Sequence, residues 1–103
     1  PFTEVKVEDA FWSPRLETNR KVTIPYAFEQ CEKTGRVDNF AIAGGLMEGR
    51  HRGSYPFDDT DPYKILEGAS YALAVAPDPE LAAQVVAQLS QRLVGDCGPV
   101  GYK

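Results

Sequence analysis

Histidine and cysteine are scarce in this sequence of 103 residues, which contains only His51, Cys31 and Cys97 of these two types. The two cysteines are far apart and have no CxxC spacing, so they indicate neither a disulfide framework nor a zinc ribbon. We expect both to be free thiols. A single histidine cannot build a metal site without remote partners, so we interpret His51 as a surface residue.

Long apolar runs and clusters of positive charge are also missing. No run approaches the ~18 apolar residues of a membrane span, and the chain does not start with the basic and then apolar order of a signal peptide. The net charge is -4, and the largest basic cluster is Arg50-His51-Arg52. Nucleic acids and anionic membranes favour clustered Lys and Arg, so we expect neither as a partner. The compartment stays open, with the cytoplasm as the default expectation.

Motifs that would identify a complete catalytic set are absent from the sequence. Gly44-Gly45 is not followed by the GK[ST] of a phosphate-binding loop, and no G-x-S-x-G nucleophile elbow occurs. Single glutamates could serve as acids or bases, but their spacing pairs no two of them. These glutamates are Glu29, Glu32, Glu48 and Glu67.

Two Asp-Pro pairs predict the clearest helices. Asp61-Pro62 and Asp78-Pro79 each place an N-cap side chain before a proline at the first helical position. The helix over 62–76 is small and apolar nearly all round, which is typical of a helix buried on more than one side. The helix over 79–94 is amphipathic, and the short connection between the two predicts a hairpin. The apolar stripe of the second helix is Leu81, Val85, Leu89 and Leu93.

The first half of the chain predicts further helices after an extended start. Alternation over 2–7 indicates an extended arm or an edge strand. Ser13-Pro14 predicts a helix start, and the helix should run to about residue 34 with a kink or a break at Pro25. Gly35 should close it in a left-handed conformation. A shorter helix is predicted over 37–47. The fold class is therefore all-α with a short extended N-terminal arm.

The acidic cluster Asp58-Asp59-Thr60-Asp61 has two interpretations. Several carboxylates before a buried helix could bind a divalent cation or the hydroxyls of a sugar. An EF-hand loop is excluded, because the required glycine and glutamate positions hold Lys64 and Ser70. Alternatively, Asp61 is only a helix cap and the other two carboxylates are solvated. The spacing leaves both interpretations open.

Five segments in this order resemble the start of glycoside hydrolase family 127, the β-L-arabinofuranosidase-like enzymes, over about residues 5 to 90. Each segment is weakly specific alone, and the ordered set is more specific. They are Phe11-Trp12-Ser13-Pro14-Arg15, Ile24-Pro25-Tyr26, Gly35-Arg36-Val37-Asp38-Asn39-Phe40, Phe57-Asp58-Asp59-Thr60-Asp61-Pro62-Tyr63-Lys64 and Pro77-Asp78-Pro79-Glu80-Leu81.

The resemblance implies helical hairpins that form part of an (α/α)6 toroid. It also implies hydrolysis of terminal β-L-arabinofuranosides with retention of configuration. The family uses a cysteine thiolate nucleophile held on zinc by further cysteines and a glutamate, with a separate glutamate as acid/base. Those residues lie beyond the matching stretch, so neither Cys31 nor Cys97 takes the nucleophile or zinc role. This chain is expected to hold no cofactor, and zinc is expected in the parent enzyme.

The resemblance further implies that inner helices direct their N-termini toward the sugar pocket. Asp59, Asp61, Tyr63 and Lys64 would then be substrate-binding residues, with no catalytic residue in this chain. Residues 1–103 would form the incomplete N-terminal segment of the catalytic domain, inactive alone. The family pattern continues beyond Arg92 into a third helix, whereas this sequence ends at Lys103.

The expected partners are an arabinofuranoside-type carbohydrate and the remainder of the catalytic domain, or a second copy of the chain. Two alternatives stay open. One is a small helical binding module without chemistry, and the other is an (α/α) toroid with a different carbohydrate-active reaction.

Overall fold

The computed structural model describes residues 1–89, whose regular structure is entirely helical and contains no strand. The all-α prediction is confirmed for this part of the chain. Cys97, Leu93 and the predicted end of the last helix lie outside the described residues. The helices are α1 (Trp12–Thr18), α2 (Ile24–Lys33), α3 (Arg36–Ala43), α4 (Thr60–Val75) and α5 (Pro79–Gln88).

The N-terminal arm begins with a single 3₁₀ turn, Phe2–Glu4, and Val5 then has extended backbone. The edge strand offered as an alternative does not form within residues 1–89. Asp9, not Ser13, caps the helix that follows. Asp9 Oδ1 accepts hydrogen bonds from the Phe11 N–H at 2.8 Å and from the Trp12 N–H, and Ser13 Oγ accepts from the Asp9 N–H at 3.1 Å. These hydrogen bonds satisfy N–H groups at the start of the helix. The capping residue therefore lies four residues before the predicted one.

A π-helical turn, Asn19–Thr23, joins α1 to α2 immediately before Pro25. Proline lacks an N–H and its ring collides with the carbonyl one turn earlier, so it disrupts a regular α-helix. The wider π turn lets the helical path continue through this position. Helix α2 then ends at Lys33, and Gly35 two residues later has a φ of 78°, the predicted left-handed conformation.

The core lies between α2, α3 and the pair α4 and α5. The short connection after Val75 brings α5 back against α4, as the hairpin prediction required. Helix α3 ends at Ala43, earlier than predicted, because Gly44-Gly45 follows. The buried apolar side chains of the core cluster are Ile24, Phe28, Phe40, Leu66, Ala69, Leu81 and Val85.

Helix α4 is less enclosed than its sequence predicts. Only Pro62, Leu66 and Ala69 are buried on it, whereas Gly68 and Val75 on the opposite side are exposed. Within residues 1–89, α4 contacts α2, α3 and α5, and on its exposed face Tyr71 packs edge-on against Phe2 of the N-terminal arm with ring centroids 5.4 Å apart. The described helices are also all too short or too polar to cross a membrane.

The start of α5 follows the prediction closely. Asp78 Oδ1 accepts the Leu81 N–H at 3.1 Å, and Pro79 occupies the first helical position. The other oxygen of this buried carboxylate lies 3.3 Å from Arg20 Nε and 3.2 Å from Lys21 Nζ. Asp78 therefore links the hairpin to the π-helical turn. The hydrogen bond from Leu81 lowers the pKa of Asp78, and the two cations add to this effect against the opposing effect of burial.

We expect the Asp78 contacts to make stability depend on pH in the acidic range. A carboxyl group with a lowered folded-state pKa stabilises the fold above its unfolded pKa of about 3.9, and this contribution is lost as pH falls through the folded value. Asp78→Asn should lower Tm by several degrees at pH 7 and flatten the fall in Tm on acidification. Thermal unfolding monitored by circular dichroism measures both effects. The exposed Asp59→Asn is the control, and equal acid sensitivity of Asp78→Asn and the parent would contradict the assignment.

Candidate functional site

Arg36 bridges two carboxylates at the start of α4. Its Nε donates to Asp61 Oδ2 at 2.6 Å, and its Nη2 donates to Asp58 Oδ1 at 3.2 Å. The hydrogen bond to Asp61 raises the pKa of Arg36 against the opposing effect of burial, and the charges of Asp58 and Asp61 raise it further. The two carboxylates differ in environment, because the Asp58 side chain is 3% exposed and that of Asp61 is 42% exposed.

Gly35 allows Arg36 to occupy this position. Gly35 has a left-handed backbone, and a Cβ added there would lie 2.6 Å from Arg52 Cδ. Only glycine combines that conformation with so close an approach of another side chain. Helix α3 therefore begins directly after the end of α2, with Arg36 as its first residue.

The loop between α3 and α4 is held by side chains of α3. Asn39 Nδ2 donates to the Arg52 carbonyl and Asn39 Oδ1 accepts the Arg52 N–H, both at 2.7 Å. Arg52 Nη1 also pairs with Asp38 Oδ2 at 2.8 Å. Gly53 then lies against Asp58, since a Cβ at Gly53 would be 1.8 Å from Asp58 Oδ2. These contacts fix the backbone that leads to Asp58.

A groove of about 550 Å³ lies between α2 and the first turns of α4. Asp61 and Lys64 border it from α4, and Arg36 borders it from α3. A carboxylate, a guanidinium and an ammonium group together can bind the hydroxyls of a polar ligand. The groove is lined by Thr23, Tyr26, Ala27, Gln30, Cys31, Thr34, Arg36, Asp61, Lys64 and Ile65.

Cys31 is a buried free thiol in this lining. Burial raises the pKa of Cys31, and the negative charge of Asp61 raises it further, while Arg36 acts in the opposite direction. A thiol held in its protonated form is a poor nucleophile. The absence of a nucleophile role for Cys31 stays a prediction.

The four residues predicted to bind substrate separate into two pairs. Asp61 and Lys64 both line the groove. Asp59 is exposed just before α4 and makes no capping hydrogen bond, while Tyr63 packs edge-on against Phe40 with ring centroids 5.5 Å apart. Neither Asp59 nor Tyr63 lines the groove. The helical repeat of 3.6 residues directs these two positions away from Asp61 and Lys64.

Two interpretations of the acidic cluster are wrong at particular residues. Asp61 is not the N-cap of α4, because the helix begins at Thr60. The Asp61 carboxylate accepts a hydrogen bond from Arg36 instead of capping the helix. Asp58 is not solvated, because it is buried beside Arg36 and Gly53. Sequence reasoning also missed Arg36 as a site residue. Its position after Gly35 was the available signal, but its partners lie more than twenty residues away.

Three of the four glutamates considered as acids or bases make other contacts. Glu29 pairs with Lys33, Glu32 accepts from Gln88 Nε2 at 2.9 Å, and Glu67 accepts from the Tyr71 hydroxyl at 3.3 Å. Within residues 1–89, no group of three or more His, Cys, Asp or Glu side chains could hold a metal ion. The described residues therefore form a groove bordered by charged side chains and lined largely by apolar surface, without an evident acid and base pair.

Comparisons with known proteins agree with one another. The sequence profile described as "Beta-L-arabinofuranosidase, GH127 catalytic domain" matches residues 4–102. The non-reducing end β-L-arabinofuranosidase of Bifidobacterium longum subsp. longum is 47% identical, over 77% of this chain and 15% of the relative. A solved structure described as a GH127 β-arabinofuranosidase matches with a TM-score of 0.84 and 46% identity, over 99% of this chain and 16% of that one. The chain thus spans a small part of both relatives.

Proposed function

Because this chain belongs to the GH127 β-L-arabinofuranosidase catalytic-domain family and its helices form part of an (α/α) toroid, we propose that it helps to hydrolyse L-arabinofuranosides. In this proposal the chain is the N-terminal segment of the catalytic domain. It supplies helices and a binding groove, while the acid/base and the nucleophile come from other parts of the enzyme.

The groove beside α4 is the observation that carries this proposal. Arabinofuranose presents several hydroxyl groups and little apolar surface. The Asp61 carboxylate can accept hydrogen bonds from such hydroxyls, and the Lys64 ammonium can donate to their oxygens. The exposed ring of Tyr26 borders the same groove and offers an apolar face. These side chains can bind and orient a sugar without taking part in bond cleavage.

Asp59 and Tyr63 have a supporting role in this proposal. Both lie at the N-terminal end of α4, next to the groove residues in sequence but on another face of the helix. Tyr63 packs against Phe40 of α3 and thereby helps to fix this end of α4. Asp59 is exposed and available to a ligand that extends beyond the groove.

Zinc belongs to this proposal only outside the described residues. A zinc site uses three or four Cys, His, Asp or Glu ligands, and residues 1–89 bring no such group together. Cys31, the one cysteine within residues 1–89, sits beside a carboxylate and an arginine instead of other thiols. We therefore place the expected zinc in the remainder of the enzyme and derive no step from it here.

The proposed protein partner is the remainder of the catalytic domain. The face of α4 that carries Gly68, Tyr71 and Val75 is exposed within residues 1–89, although its small and apolar residues suit close helix packing. Packing of further hairpins against this face would bury it. The chain alone should therefore associate with itself, because exposed apolar surface favours self-association. Light scattering over a range of concentrations distinguishes this behaviour from that of an independent monomeric module.

A segment exchange tests the proposed function directly. Residues 1–103 would replace the matching segment of the solved GH127 β-arabinofuranosidase, to which this chain is 46% identical. We expect the chimera to hydrolyse an aryl β-L-arabinofuranoside, because the segment supplies equivalent helices and groove residues. We expect no hydrolysis by the 103-residue chain alone, with or without zinc and a thiol reductant.

The control is the same enzyme with the segment deleted. A folded chimera that is inactive on arabinofuranosides would refute the proposed function. Turnover by the isolated chain would refute the assignment of the chemistry to the remainder of the domain. Circular dichroism and the melting temperature of the chimera establish that each protein is folded before its activity is compared.

A further inference from the structure

Arg36 is held on two sides in a way that restricts its guanidinium to one orientation. Its Nη2 contacts Asp58 and its Nε contacts Asp61. The guanidinium is planar and its donors are fixed relative to one another. Because Asp58 fixes one edge of this plane, the direction of the Nε donor is fixed as well. Asp61 must therefore place a carboxylate oxygen in that direction to accept the hydrogen bond.

Asp58 is itself confined by its surroundings. Its side chain is almost completely buried, Gly53 lies directly against Oδ2, and the Asn39 contacts hold the backbone of the loop that contains Gly53. Asp61, at the other end of the bridge, borders the groove and is partly exposed. The bridge therefore connects a rigid buried group to an exposed one.

Stability alone does not account for this arrangement. Burying a carboxylate removes it from water, and a buried ion pair is often no more stabilising than apolar side chains of similar size. No donor within residues 1–89 forms a hydrogen bond with Asp58 Oδ2, which adds a desolvation cost. The cost of burying this charge calls for an explanation. The contact of Asp58 with Arg36, which lines the groove, favours a positioning role.

We propose that Asp58 and Arg36 are positioning residues for the substrate groove, with Asp58 holding Arg36 and Arg36 holding the Asp61 carboxylate. This inference rests on the proposed function. Without the bridge, the Asp61 side chain could rotate toward free N–H groups in the first turn of α4. With the bridge, one carboxylate orientation is ready to accept sugar hydroxyls before the substrate arrives, which reduces the cost of ordering it on binding.

Kinetics of the chimera test this inference. Asp58→Asn keeps the shape of the side chain and removes its charge, and Arg36→Lys keeps the charge and removes the planar fork. Each variant should raise KM about 10-fold and change kcat less than about 3-fold, because the loss affects substrate binding and not bond cleavage. Asp61→Asn should raise KM by a similar factor.

The decisive measurement is the double variant Asp58→Asn/Asp61→Asn. If Asp58 acts through Asp61, the double variant should have nearly the KM of Asp61→Asn alone, because residues in one network have non-additive effects. Glu29→Gln is the matched control: it removes the charge from an exposed ion pair with Lys33 outside the groove and should leave KM unchanged.

Three outcomes would overturn the inference while the proposed function stands. The first is an active chimera in which Asp58→Asn lowers only Tm. The second is multiplication of the two KM effects in the double variant. The third is a KM change of equal size in Glu29→Gln. A folded but inactive chimera would overturn both proposals. If Arg36→Lys does not fold, the near-isosteric Asp58→Asn still decides the question.

Discussion

Arg36→Met should lower the free energy of unfolding by about 3–5 kcal/mol, the range observed when one partner of a buried ion pair is removed. Methionine fills a similar volume but cannot compensate the charge of Asp58. The buried carboxylate would then have no cationic partner, and burying an unpaired charge is strongly unfavourable. Urea unfolding followed by circular dichroism measures the change. If the variant is already unfolded without urea, its loss in free energy of unfolding is at least equal to the stability of the parent.

Two further variants separate this effect from a general loss of packing. Asp61→Asn should cost less than about 1 kcal/mol, because exposed ion pairs contribute little and this side chain is 42% exposed. Arg36→Met/Asp58→Asn should recover more than about 1 kcal/mol of the loss, since the double variant no longer buries an unpaired charge. Equal stabilities of the single and double variants would show that charge is not the cause.

Phe28→Ala should destabilise the chain by about 3–5 kcal/mol, as expected for truncation of a fully buried phenylalanine. Phe28 is 2% exposed and belongs to the core cluster that joins α2 to α4 and α5. Alanine would leave a cavity in the middle of this cluster. The surrounding helices are tied by the Asp78 and Arg36 contacts, so they can close the cavity only in part.

The matched variant on the same helix is Tyr26→Ala. Tyr26 is exposed, and truncation of an exposed side chain usually changes stability by less than about 0.5 kcal/mol. Phe28→Leu should cost an intermediate amount, because it leaves a smaller cavity. Urea unfolding of the three variants under one set of conditions gives the order. A Phe28→Ala variant no less stable than Tyr26→Ala would show that the core does not lie where the helices place it.

Local signals in the sequence predicted the structure well where local contacts decide it. Asp78 caps α5 because its carboxylate bonds to an N–H three residues later, which is visible in the Asp-Pro pair itself. The same pair at Asp61-Pro62 gave a wrong cap. There the Asp61 carboxylate accepts a hydrogen bond from Arg36, 25 positions earlier. Helix-capping patterns in the local sequence cannot predict a contact over that distance.

The candidate site was predicted in part for a similar reason. Asp61 and Lys64 are three residues apart and share one side of α4, and both line the groove. Asp59 and Tyr63 were grouped with them by sequence proximity, although helical geometry places them elsewhere. The burial of Asp58 depends on Gly53 and on the fixed loop, both of which require the folded backbone. Whether these side chains contact a sugar stays a prediction.

The π-helical turn before Pro25 has a consequence for how sequences related to this one should be aligned. Such a turn holds one residue more than the α-helical path needs, and one residue corresponds to about 100° of rotation around the axis. The faces of α1 and α2 are therefore out of phase across this point. A relative with one residue fewer between 19 and 23 could retain both helices, but its α1 side chains would be turned by that angle. An alignment gap here would mark a rotated helix and not a missing one.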